Sequence, residues 1–195
     1  MIGALIMVHG DDNGLVLPPK IAPKQIVIAT IRNDEKVLEI ANKLNSELKA
    51  QGYRVILDTS DKSAGFKFAE YEMKGVPLRI EIGPRDIANG HVVLARRDNG
   101  EKETVDIENV CEKVKVLLDE IQKFMYDKAL KHTRERTYTC TDLEEVKKIM
   151  NTKPGFIKAM WCGDPECELK MKEIRGMKSR CIPFEEEHIS DHCIV

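Results

Sequence analysis

IVIATIRNDEKVLEIANKLNSELKAQGYRVILD, residues 26–58, decides the fold. Its first six residues, IVIATI, are a continuous run of mostly β-branched side chains, the pattern of a strand covered on both faces. Asn33 is placed to cap a helix through DEKVLEIANKLNSELKAQ. In that helix Val37, Ile40, Ala41, Leu44 and Leu48 recur on one stripe, and Gly52 supplies the stop. YRVILD (53–58) reads as a second strand. Strand, helix and strand make a βαβ unit, whose right-handed crossover requires parallel pairing.

Working outward, a short helix is expected around 64–74, ended by Gly75, and then a strand over 76–82. HVVLARR (91–97), the turn Asp98-Asn99-Gly100 and EKETVDI form a hairpin. A long amphipathic helix over about 106–129 follows, with Val110, Val114, Leu117, Leu118 and Ile121 facing inward. After Lys131 the chain turns polar and starts again. Thr141 with Glu144 reads as a capping box opening a helix to about Met150. FIKAMW (156–161) reads as a strand, 166–175 as a helix and SRCIPF (179–184) as another strand. Upstream of the βαβ unit, an apolar start runs into HGDDNG and then a proline-rich stretch that rules out helix. The expected class is α/β: a mixed-sheet domain over 24–130, a small α/β domain over 131–195, and a linker with the tail of an earlier element over 1–23.

The chain has 195 residues, 42% apolar and 33% charged, with a net charge of -2. No overall positive field draws in nucleic acid, so any such binding must be local. MIGALIMV is too short for a membrane span and lacks a basic leader. Six cysteines without a secretory signal indicate reduced thiols or metal ligands, and a cytoplasmic setting is expected. There is no GxxxxGK[ST], GxGxxG, GxSxG or HExxH motif. His9, Asp11 and Asp12 in HGDD could bind a metal or act as acid and base, but such a loop is more often a plain turn.

FKFAEYEMKGVPLRIEIGPRD (66–86) raises a sharper question. Val76, Leu78, Ile80 and Ile82 alternate onto one face, and Arg79 and Glu81 onto the other. Over 62–97 there are seven Lys or Arg against four Asp or Glu, interleaved with Phe66, Phe68 and Tyr71. Rings that stack on splayed bases, cations that meet phosphate and edges that read bases suit single-stranded nucleic acid. An arginine fork fits O6 and N7 of guanine, and a carboxylate can accept from its N1 and N2 protons. On residue types alone, the plainer reading is an exposed strand with ordinary cross-strand ion pairs and core aromatics.

Among the cysteines, Cys162 and Cys167 in WCGDPEC share a tight turn, and Cys193 lies near His188 and His192. A zinc site and a turn of reduced thiols both remain open from these residues. Cys181, inside CIPF, reads as a small core residue.

HGDDNGLVLPPKIAP, the βαβ unit, KFAEYEMKGVPLRIEIGPRD, VVLARRDNGEK and the paired-cysteine extension with KSRCIPF together resemble the C-terminal half of prolyl-tRNA synthetases of the archaeal and eukaryotic-like type. The resemblance covers essentially the whole chain. It implies a class II anticodon-binding domain followed by a small zinc-type domain. It also implies that Phe68 stacks on an anticodon base, and that Glu72, Arg79 and Arg85 contact the two guanines common to proline anticodons. Lys74 and Arg97 are implied as phosphate contacts. The partner implied is tRNA(Pro) through its anticodon loop, with a homodimer for the full-length enzyme. That enzyme would use ATP and magnesium to ligate proline to tRNA. Its catalytic motifs would lie upstream of Met1, so this chain alone is expected to bind neither and to be inactive. Cys162, Cys167 and Cys193 match the family's zinc ligands, with the fourth expected beyond Val195 unless His192 or solvent completes the set. Two further readings are an interaction or dimer-supporting module without RNA readout, and a small metal-dependent enzyme built on HGDD.

Overall fold

The computed structural model describes residues 2–195 and divides into two compact units, with the division between Asp127 and Lys128. In the first unit the elements run α1 (Ile2–His9), β1 (Ile26–Thr30), α2 (Glu35–Ala50), β2 (Val55–Asp58), α3 (Ala64–Met73), β3 (Leu78–Ile82), α4 (Pro84–Ala88), β4 (His91–Arg96) and β5 (Lys102–Asp106). α5 (Val110–Glu135) then begins, and the division falls within it.

The five strands form one mixed sheet in the order β2-β1-β3-β4-β5. β1 pairs in parallel with both β2 and β3, whereas β3–β4 and β4–β5 are antiparallel. The βαβ unit thus fixes the parallel half, and the Asp98-Asn99-Gly100 turn, with Gly100 at φ +75°, closes the antiparallel half. Strand alternation sorts the core onto two faces. Ile26, Ile28, Leu78, Ile80, Ile82, Val92 and Leu94 pack against Val37, Ala41, Leu44 and Leu48 of α2 and Val110, Val114, Leu117 and Ile121 of α5. Val27 faces the other way, against Tyr71 of α3 and Val76. α3 packs on that second face, mainly against β1. On the rest of that face exposure rises toward β5: Glu81 and Ala95 are buried and Arg79 partly buried, whereas Lys102 and Thr104 are exposed.

Several boundaries differ from the sequence reading. Asp34, not Asn33, caps α2, accepting from the Val37 amide at 2.9 Å. Asn33 instead donates to the Thr59 carbonyl at 2.6 Å. Val76 does not continue the alternation of β3; Pro77 delays the strand to Leu78, and Val76 packs beside Tyr71. The expected turn after β3 is a short helix, α4. Pro84 starts it with preset φ, and Asp86 accepts the Gly83 amide at 2.9 Å. The long helix starts later than expected, because a 3-10 turn (Ile107–Asn109) precedes it, and it runs on to Glu135.

A charged side chain lies at the heart of the first unit. Lys67 of α3 is 1% exposed and donates to the Thr30 carbonyl at 2.9 Å and the Asp58 carbonyl at 3.2 Å. Both carbonyls sit where β1 and β2 run out of ladder partners, so the ammonium caps two strand ends at once. Asp58 Oδ1 is 3.7 Å from the same nitrogen. Burial works against the Asp58 carboxylate, but hydrogen bonds from Ser60 and Tyr71 and the Lys67 charge outweigh it and hold its pKa below the ordinary 3.8. Burial and the bond to Asp58 push the Tyr71 phenol up to about 12.

The second unit contains β6 (Thr137–Thr139), α6 (Leu143–Thr152), β7 (Phe156–Lys158) and α7 (Pro165–Glu173). β6 and β7 pair in parallel. Its core is small: Cys140, Val146 and Ile194, with partly buried neighbours such as Tyr138 and Ile149. Asp142 rather than Thr141 caps α6, accepting from the Glu144 amide at 3.1 Å. The strand expected over 179–184 does not form, and Cys181 is exposed rather than a core residue. Ile182 and Phe184 are also exposed, so this apolar run is not drawn into a core among the described residues.

Candidate nucleic-acid interface

The second sheet face carries two cross-strand rows. Arg79, Ala95 and Lys102 stand in register across β3, β4 and β5, and beside them stand Glu81, Val93 and Thr104. The alternation that puts Leu78, Ile80 and Ile82 into the α2–α5 core sends Arg79 and Glu81 together to the opposite face, where Glu81 is buried and Arg79 partly buried. Small Ala95 leaves room above the sheet for the two long cations of its row.

Their heads converge on one carboxylate. Arg79 Nε and Nη2 donate to Glu81 Oε1 at 3.0 and 2.9 Å, and Lys102 Nζ donates to Oε1 and Oε2 at 2.9 and 3.1 Å. The Phe68 ring of α3 lies against the guanidinium, 4.3 Å from its centroid, with Lys102 Nζ at 5.4 Å. Arg79 is therefore held in plane by a ring and along one edge by a carboxylate. A guanidinium has five N–H donors. Among the described residues the Nη1 pair and the second Nη2 proton stay unclaimed, on the edge turned away from Glu81.

Glu72 is four residues from Phe68 on α3, so the two share a helix face. It is partly buried, and its carboxylate makes no hydrogen bond or ion pair among the described residues. Arg85, in α4 just past the end of β3, is exposed and likewise without a partner. The structure thus brings Phe68 and Arg79 into contact and leaves Glu72 and Arg85 with free polar heads.

The two phosphate candidates stand differently. Lys74 is exposed and pairs with Glu70 at 2.6 Å, and Glu70 also takes Lys62 at 2.8 Å. Hydrogen bonds from Lys62 and Lys74 hold the Glu70 carboxyl below its ordinary range. Such exposed pairs are weak and exchange readily with other anions. Arg97 is committed inside the protein. Its side chain is 5% exposed, and Nη1 and Nη2 grip Asp11 at 2.7 and 2.6 Å while Nε donates to the Glu72 carbonyl at 2.9 Å. The sequence reading missed this because the partner lies 86 positions away. Asp11 belongs to HGDD, which forms a turn closed by Asp11–Gly14 backbone bonds of 3.0 and 3.1 Å. The Arg97 guanidinium holds the Asp11 carboxyl below its usual range, against the upward push of burial.

In the second unit, Cys162, Cys167 and Cys193 come together with their sulfurs all within 4.8 Å, the one such metal-capable group among the described residues. Cys162 and Cys167 are 3.5 Å apart, joined by the turn through Gly163 (φ +85°) and the start of α7. Two sulfurs on a tetrahedral zinc at ~2.3 Å sit roughly 3.8 Å apart, which this spacing fits. The hydrogen bond with Cys162, together with burial, pushes the Cys167 thiol up to about 11. Burial works against the charged form of Cys193, yet backbone bonds from Val195 and Cys162 and the two neighbouring thiols draw its pKa down. His192 is exposed and outside the group, and His188 pairs with Asp191 at 2.9 Å.

A sequence model described as "Anticodon binding domain" matches residues 25–117, and one described as "Prolyl-tRNA synthetase, C-terminal" matches residues 143–195. Among curated relatives, Proline--tRNA ligase of Clostridium novyi (strain NT) is 55% identical over the whole chain, which covers 41% of that relative. Proline--tRNA ligase of Clostridium botulinum (strain Loch Maree / Type A3) is 54% identical, and a Proline--tRNA ligase 2 of Bacillus cereus 51%, both over the same spans. The chain belongs to the prolyl-tRNA synthetase family. It spans about two fifths of the length of the family members it matches.

Within the prolyl-tRNA synthetase framework, the second sheet face lies in the anticodon-binding match and the three cysteines in the C-terminal match. No helix of the described residues is long and apolar enough to cross a membrane. Two residues of that face escaped the sequence reading as site members, Glu81 and Lys102. Their signal was there: the Asp98-Asn99-Gly100 turn sets the hairpin register, and that register places Lys102 opposite Ala95 and so in line with Arg79.

Proposed function

We propose that the first unit reads the anticodon of tRNA(Pro), as part of a cytoplasmic enzyme that ligates proline to that tRNA using ATP and magnesium. The observation that carries this reading is the Phe68–Arg79–Glu81 stack on the second sheet face, together with the unpaired heads of Glu72 in α3 and Arg85 in α4. In this reading Phe68 stacks on a base, the free edge of Arg79 and the Arg85 fork take guanine O6 and N7, and Glu72 accepts from guanine N1 and N2. Lys74 and Lys102 supply charge toward phosphate, and Arg97 keeps the end of α3 in place rather than touching RNA.

The test is titration of the chain with a proline anticodon stem-loop and with the same stem-loop carrying adenines in place of its two guanines. A good bidentate pair is worth roughly 1–3 kcal/mol, so each replaced guanine should weaken binding about fivefold to 150-fold. Equal affinity for both RNAs defeats base reading. It would favour the alternative, in which the Arg79–Glu81–Lys102 group is a surface ion-pair network on an interaction module.

For the second unit, Cys162, Cys167 and Cys193 would hold a structural zinc as thiolates, with the fourth position taken by another ligand or solvent. When bound, the ion supplies cross-linking that so small a core needs. Titration with cobalt as a spectroscopic stand-in should show thiolate charge-transfer bands at one equivalent, and Cys162→Ser should abolish them. Bands of unchanged strength in Cys162→Ser would remove it from the ligand set.

A further inference from the structure

The first unit holds six arginines, and the structure accounts for four of them internally. Arg54 donates to the carbonyls of Ala22, Pro19 and Lys20 at 2.9, 3.0 and 3.3 Å. Arg79 pairs with Glu81, Arg96 with Asp98 at 2.7 Å and Arg97 with Asp11. The remaining two, Arg32 and Arg85, are exposed and make no hydrogen bond or ion pair among the described residues. Neither contributes a side-chain hydrogen bond or ion pair to the fold among the described residues, so the information lies in where they stand.

Both stand at the same end of the sheet on neighbouring strands. β1 and β3 are parallel, with Thr30 opposite Ile82, and the Ile31 amide extends the ladder to the Ile82 carbonyl at 2.9 Å. Arg32 lies two residues past the end of β1, and Arg85 three past the end of β3. The strand order reverses between these two strands: from β1 the chain crosses to β2 on one side, then returns to β3 on the other. In open α/β sheets the carboxyl ends at such a reversal diverge and leave a crevice for a ligand. The acid beside Arg32 is already engaged, since Asp34 caps α2 through the Val37 amide.

We propose that Arg32 is a phosphate contact, gripping the backbone of the anticodon loop as it leaves the second face past Arg85 and crosses the carboxyl end of β1. The inference rests on the anticodon reading above and adds a residue to it. Base reading by Arg79, Arg85 and Glu72 is confined to β3, α3 and α4, whereas Arg32 extends the RNA path by one strand. It also fills the phosphate role that the buried Arg97 cannot take. A guanidinium free of protein partners and standing in solvent suits a diester oxygen, which needs charge and two donors but no enclosed pocket.

The experiment measures binding of the chain and of Arg32→Ala to the guanine-bearing and adenine-bearing stem-loops across a series of salt concentrations. Arg32→Ala should weaken both RNAs by the same factor, about threefold to fivefold. It should also make the slope of log K against log salt shallower by roughly 0.7, the value for one single-strand phosphate. Arg85→Ala, run in parallel, should reduce the preference for guanine. If the unsubstituted chain prefers the guanine RNA and Arg32→Ala leaves affinity and salt slope unchanged, the phosphate contact is overturned while anticodon reading stands. If Arg32→Ala erodes the preference for guanine, Arg32 reads a base and the assignment to phosphate is wrong. If the unsubstituted chain binds neither RNA, both the reading and the inference fall.

Discussion

Lys67→Ala is expected to destabilise the first unit by about 3–5 kcal/mol, the usual cost of removing one partner from a buried charged pair. The ammonium satisfies two strand-end carbonyls and faces the Asp58 carboxylate, in a site where its own exposure is 1%. Without it, the buried Thr30 carbonyl loses that donor, and the Asp58 carbonyl keeps only the Thr30 hydroxyl at 3.0 Å. Lys67→Met, which keeps most of the volume, should recover little, because the missing quantity is donors rather than packing. Denaturant unfolding of the chain measures both variants. A loss below about 1 kcal/mol in Lys67→Ala would mean that water enters and replaces the amine.

The same network sets an acid dependence. The Asp58 carboxyl is held below 3.8 in the folded chain, so its charged form is favoured by folding. The stability it contributes is complete above that unfolded value and is lost as pH falls through the lower native one. Removing Lys67 deletes one of the influences holding that pKa down, and burial, which pushes it up, meets less opposition. The acid limb of the stability curve should therefore flatten in Lys67→Ala.

Arg79→Ala is expected to weaken binding of the guanine-bearing stem-loop by about 1–3 kcal/mol, roughly fivefold to 150-fold, and to abolish discrimination at one position. Arg79→Lys should fall nearly as far. An ammonium keeps the charge but cannot lie flat on Phe68, hold Glu81 along one edge and present a fork along the other. Full discrimination by Arg79→Lys would show that the charge alone suffices. The fold should survive both changes, since Glu81 keeps Lys102 as a partner.

The course of the chain was legible wherever local pattern and burial agree. The β-branched run at Ile26–Thr30, the stripe of α2 and the alternation of β3 each follow from a period that only one packing arrangement can bury. The second unit was less legible for the same reason. With a core of three buried side chains, apolar segments such as CIPF have no obligatory partner, and the strand expected there stays open.

Alternation alone put Arg79 and Glu81 on a common face, and the residue types around them named the chemistry. Spacing alone paired Cys162 with Cys167. What only the tertiary structure decided is which cations remain free for a ligand. Arg97 and Arg85 are equivalent as letters, yet one is closed onto Asp11 across 86 positions and the other stands in solvent. Coulomb pairing acts through space and weakens with distance, so it depends on contacts that no local sequence period encodes.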